Sequence, residues 1–78
     1  MSHRSLPEMG ELWKQYDGNL FLIVGIAQDL SHGGSLVVYR ETGKGTLMWV
    51  SPLGEFLGIE CYGNWRFERS PDDHMVPL

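Results

Sequence analysis

The feature that most constrains this fold is the stretch Leu36-Val37-Val38-Tyr39-Arg40, then Gly43-Lys44-Gly45, then Leu47-Met48-Trp49-Val50, closed by Ser51-Pro52-Leu53-Gly54-Glu55-Phe56. Two runs rich in Val, Leu and aromatic residues are joined by a Gly-punctuated link too short for a helix. They read as an antiparallel hairpin that ends in a Pro-started turn. Pro52 can open a helical turn because its missing N–H lies where no intrahelical bond is due. Leu53 and Phe56, at i and i+3, then face one way.

The neighbouring segments extend the pattern. Glu11 to Tyr16 and Asn19 to Gln28 flank Asp17-Gly18, a dipeptide suited to the positive φ values of a tight primed hairpin turn. Asp29-Leu30-Ser31-His32-Gly33-Gly34 is a polar loop leading to a strand over Ser35 to Glu41 and its partner over Thr46 to Ser51. Ile59 to Tyr62 and Trp65 to Glu68, separated by Gly63-Asn64, make a last pair of short strands. Short strands, frequent turns and no long amphipathic helix predict an all-β domain of five to six antiparallel strands, a small barrel or strongly bent sheet, with one helical turn near residues 52–57. The expected organisation is a flexible N-terminal tail over 1–9, a domain over 10–69 and a C-terminal tail over 70–78, the tails free or docked on the domain.

Composition narrows the function classes. A 78-residue chain makes one small domain, and small domains commonly rely on disulfides, a metal or a partner for stability. The single Cys61 excludes a disulfide within one chain, which leaves a second subunit as the expected staple. The net charge of −4 repels polyanions, so general nucleic-acid binding is not expected. The longest apolar run, Leu20 to Ala27, is far shorter than a membrane span, and Met1 to Glu8 lacks an apolar signal core. A cytoplasmic protein that does not enter the membrane is the expectation.

In Leu20-Phe21-Leu22-Ile23-Val24-Gly25-Ile26-Ala27 and in Leu36-Val37-Val38-Tyr39 both parities are apolar, whereas a strand with one wet face alternates. Both faces of these strands are therefore expected to be covered, by the tails, the turn after Pro52 or a second copy. If Leu36 and Val38 point inward, Arg40 does too by the period of two, and it then needs an acceptor such as Glu55, Glu60 or a bound anion.

The series Gly10, Tyr16-x-Gly18-Asn19, Val24-Gly25-Ile26-Ala27, Leu36-Val37-Val38-Tyr39-Arg40, Trp49-Val50-x-Pro52-Leu53-x-x-Phe56-Leu57 and Arg66-Phe67 resembles the small bacterial and phage family called domain of unknown function sixteen fifty-three. The resemblance covers about residues 10–69 and implies an SH3-like barrel. It implies no activity. The chain departs from the family's usual His-Tyr-Lys-Gly at Gln15-Tyr16-Asp17-Gly18, and it has Ser51 before Pro52 where the family usually has Arg.

Candidate chemistry is sparse. Gly43-Lys44-Gly45-Thr46 lacks the upstream Gly and the following helix of a phosphate loop, and reads as a hairpin turn. His3, His32, His74 and Cys61 are scattered rather than at metal-ligand spacing, so no metal or cofactor is expected, and Cys61 in a strand reads as packing. Glu41, Glu55, Glu60 and Glu68 read as surface carboxylates rather than an acid–base pair.

The aromatic set Trp13, Tyr16, Tyr39, Trp49, Trp65 and Phe67 must fill a core, yet part of it can line a groove for a peptide, a base or a modified side chain. The leading expectation is a non-enzymatic, self-associating binding module, a homo-oligomer and most simply a dimer. The alternative is a binder of a small anionic ligand such as a nucleotide, held by Arg40, Tyr39, Trp49 and Ser51 between the Asp29–Gly34 loop and the Ser51–Phe56 turn. An enzyme is the third possibility.

Overall fold

The computed structural model describes residues 5–61 and 63–70. His3, His74 and Tyr62 lie outside the described residues, as do the side chains of Glu60 and Cys61. Along the chain run β1 (Leu12–Gln15), β2 (Leu20–Gln28), β3 (Ser35–Glu41), β4 (Met48–Pro52), α1 (Leu53–Phe56), β5 (Ile59–Cys61), β6 (Asn64–Trp65) and β7 (Phe67–Arg69). Five strands form one antiparallel sheet in the order β4-β3-β2-β1-β7, and β5 pairs with β6. The all-β reading and the single helical turn hold. The sheet does not close into a barrel: β4 and β7 are its two edges and do not pair with each other.

The β1–β2 connection is a hairpin of a different turn type from the one expected. The Gln15 N–H donates to the Asn19 C=O (2.8 Å) and the Gly18 N–H to the Gln15 C=O (2.8 Å), so the loop is Tyr16–Gly18 rather than two residues. Gly18, at φ +100°, is the left-handed residue that closes such a three-residue loop. Asp17 Oδ1 accepts from the Asn19 N–H (3.1 Å) and holds the corner.

One face of the sheet carries the core. Trp13, Phe21, Ile23, Val37, Tyr39, Phe56 and Phe67 are all buried there, with Leu53 and Leu57 packed against them. Helix α1 places Phe56 over the sheet. It is fully buried, stacks on Phe67 at 4.2 Å between centroids and meets Trp13 and Tyr39 at 5.3 Å each. Pro52 precedes the helix at φ −55° and ψ 141°, ending β4 rather than opening the first turn.

The parity of β3 is the opposite of that expected. Val37 and Tyr39 point into the core, so Leu36, Val38 and Arg40 lie on the outer face, as the pairing Leu22↔Arg40 beside Ile23↔Tyr39 requires. On that outer face only the β1–β2 end is well covered: Leu12 and Leu22 are buried, whereas Val38 is half-buried. A register shift between Ile23 and Gly25 bends β2 at Val24. Beyond the bend Ile26 is exposed, so the expected cover on both faces fails there.

The strand expected over Trp65 to Glu68 is split at Arg66. Trp65 pairs with Ile59, whereas Phe67 pairs with Gln15. Arg66 bridges the two sheets, its N–H donating to the Gly58 C=O (2.8 Å) and its C=O accepting from the Tyr16 N–H (3.0 Å). Before β1, among the described residues, Pro7 and Gly10 are buried, and the Gly10 N–H donates to the Ile23 C=O (2.9 Å).

Candidate functional site

Because β4 and β7 do not meet, the core face stays open on one side and forms a cleft of ≈ 270 Å³. Its aromatic lining is Phe21, Tyr39 and Phe67, three rings in mutual edge contact with centroids 5.4–5.5 Å apart. Their contact geometry locks their orientation. Trp49 lies directly opposite Tyr39 in the ladder and, unlike the other rings, is about half exposed. The polar lining is Gln15, Asn19 and Glu41. Glu41 is opposite Phe21 and two residues from Tyr39, so the period of two sends it to the same face. The lining holds one carboxylate, two amides and no cation.

The four residues expected to bind a ligand divide between the two faces. Tyr39, Trp49 and Ser51 share the core face, where the Tyr39 hydroxyl and Ser51 Oγ are 2.7 Å apart. That hydrogen bond occupies the Ser51 side chain behind the aromatic floor. Arg40 is on the outer face, and its Nη1 donates to the Gly45 C=O at 3.4 Å, within its own hairpin. It meets neither Trp49 nor the cleft, because residues one apart in a strand point to opposite sides.

In the Asp29–Gly34 loop the amides of Ser31, His32 and Gly33 are already engaged by Asp29. Asp29 Oδ1 accepts from the Ser31 and His32 N–H groups (2.9 and 3.2 Å), and the Asp29 C=O accepts from the Gly33 N–H (2.8 Å). His32 Nδ1 lies 3.5 Å from Asp29 Oδ2. Among the described residues, no three His, Cys, Asp or Glu side chains gather where they could hold a metal. No helix among them is long and apolar enough to cross a membrane.

Phe21, Gln15, Asn19 and Glu41 are cleft residues that sequence reasoning did not single out as a site. Glu41 was legible only as a carboxylate next to an aromatic strand end. Its place beside Phe21 depends on register, which composition does not reveal.

A second polar cluster serves structure. Glu11 Oε1 accepts from Trp13 Nε1 (3.0 Å) and the Glu8 N–H (2.9 Å), and Oε2 faces Arg69 Nη1 at 3.3 Å. Burial pushes this carboxyl up, but the three hydrogen bonds and the charge of Arg69 outweigh it and hold it below the ordinary carboxylate range. One side chain thereby ties the N-terminal segment, β1 and β7 together.

No curated protein and no solved structure matches the chain. A family model does match, over residues 11–69, nearly the same span as the resemblance read from the sequence. The chain therefore belongs to the family described as Protein of unknown function (DUF1653).

Proposed function

We propose that this domain is a non-enzymatic recognition module whose cleft takes a cationic side chain, of the arginine or lysine kind, from a partner peptide. The carrying observation is the lining: a half-exposed Trp49 next to an aromatic floor, with Glu41 on the same lining as its one carboxylate. A cation over an aromatic face gains roughly 0.5–2 kcal/mol, depending on how far it is desolvated, and a carboxylate within reach adds charge pairing. Gln15 and Asn19 can hydrogen-bond the peptide backbone on either side. The same lining opposes the anionic alternative, since Glu41 repels an anion and Arg40 is on the other face.

The test is an NMR titration of the full chain with Gly-Arg-Gly and Gly-Lys-Gly tripeptides, with Gly-Glu-Gly as control. The cationic peptides are expected to shift the Trp49 indole N–H and the Gln15 and Asn19 side-chain amides, and Glu41→Gln to weaken the response at least about fivefold. Unmoved signals, or an equal response to the acidic peptide, would overturn the reading.

A further inference from the structure

Strand β4 has one partner among the described residues, β3, and its other side is the edge of the sheet. The direction of its backbone groups follows from the ladder. The Thr42 N–H donates to the Leu20 C=O at 3.0 Å, which fixes the phase of β3 against β2. Antiparallel pairs alternate between exchanging both hydrogen bonds and exchanging none. Arg40 therefore bonds toward β2, and Tyr39 and Val37 bond toward β4, to Trp49 and Ser51. Met48, Val50 and Pro52 then direct their backbone groups away from β3. Pro52 fits this phase, because it lacks an N–H and stands where β3 asks for none.

The side chains leave this edge unguarded. Leu47, Met48, Trp49 and Val50 are 65%, 54%, 49% and 60% exposed. From Leu47 to Gly54 there is no charged residue to oppose pairing with another strand. The opposite edge, β7, ends in Glu68 and Arg69.

We infer that β4 pairs antiparallel with β4 of a second copy of this chain, about a twofold axis through Trp49. In that register Met48 stands opposite the partner's Val50, and Val50 opposite the partner's Met48. Each pair exchanges two backbone hydrogen bonds, so the outward N–H and C=O groups of Met48 and Val50 are satisfied in each copy. A register shifted to set Val50 opposite the partner's Val50 would bring Met48 opposite the partner's Pro52, which cannot donate. An antiparallel strand is complementary to itself in this way, which favours a second copy over an unrelated strand. Met48 and the partner's Val50 cover each other on the outer face, and Trp49 meets the partner's Trp49 on the cleft face. The exposed side chains of Met48 and Val50 are thereby withdrawn from water, and two five-stranded sheets become one. The pairing shares Trp49 with the cleft, but it rests on the backbone groups of Met48 and Val50 and not on what the cleft binds.

The test is sedimentation equilibrium of the full chain from about 1 µM to several hundred µM, for the wild type, Val50→Pro and Val50→Lys. Val50→Pro removes an outward N–H while leaving the β3 ladder its donors, and Val50→Lys adds a charge at each copy's edge. The wild type is expected to shift from monomer to dimer, and both variants to weaken that association at least about tenfold while retaining a cooperative thermal transition. If Val50→Pro fails to fold, Val50→Lys decides alone. A wild type monomeric throughout overturns the inference, as does a folded variant that dimerises like the wild type.

Discussion

The two edges of the sheet are built by different rules. At β7 the chain contributes three residues, buries Phe67 against Phe56 and ties Arg69 to Glu11, which itself holds Trp13 and the Glu8 amide. At β4 it contributes five residues whose large apolar side chains remain half exposed or more. The first edge is anchored by core packing and guarded by charge. Among the described residues the second pairs in the sheet with β3 alone, and its large side chains are about half exposed or more. Such asymmetry leaves one side of a small domain open to other molecules.

The largest effect that sharpens this contrast is expected from Phe67→Ala. Phe67 is almost fully buried and touches Phe21, Tyr39 and Phe56, so its loss should cost about 3–5 kcal/mol in denaturant unfolding. A cost below about 1 kcal/mol would mean that β7 is not the anchored edge.

Next comes Gly18→Val in the hairpin that begins the anchored side. Nothing lies within 4 Å of an added Cβ, so the whole effect is backbone strain at φ +100°. A β-branched residue should cost about 1 kcal/mol or more there, and Gly18→Asn distinctly less. Equal midpoints for the two variants would contradict the left-handed turn.

A smaller effect follows acid. Because the Glu11 carboxyl titrates below the ordinary range in the folded chain, its contribution is fully present above the unfolded value of about 4 and is lost as pH falls through the folded value. The thermal midpoint should drop over that window, and Glu11→Gln should lower stability at neutral pH while flattening the drop. An unchanged acid dependence in the variant would remove Glu11 from the anchoring of β7.

For so large a ring, a small change is expected at the open edge. Trp49→Ala should cost about 1–2 kcal/mol in the monomer, well below Phe67→Ala, since about half of that residue is already in water. Dilute-protein unfolding measures it, and a loss comparable to that of Phe67→Ala would erase the contrast between the edges.

Much of this fold was legible in the sequence, and the failures have physical causes. Residues Ser35 to Glu41 were bounded by glycines and polar residues, and β3 spans the same residues. The helical turn was visible in Leu53 and Phe56, three apart after a proline, although Pro52 ends β4 instead of opening the turn. The parity of β3 was hidden because Leu36, Val37, Val38 and Tyr39 are all apolar, so alternation has no phase. Arg40 lies on the face away from Tyr39 and Trp49, not beside them. The break at Arg66 was hidden as well: Trp65 and Phe67, two apart, look like one face of one strand, and only the change of partner from β5 to β1 separates them. The cleft depends on register and on a sheet that stays open. Neither leaves a mark in composition.

The most direct measurement of the difference between the edges is amide hydrogen exchange along β4, followed residue by residue at low and high protein concentration. Trp49 and Ser51, bonded to β3, should be protected at both. Met48 and Val50 should exchange rapidly in dilute protein and become protected as concentration rises. Protection of Met48 and Val50 that is already complete in dilute protein, or absent at every concentration, would contradict an open edge that a second copy closes.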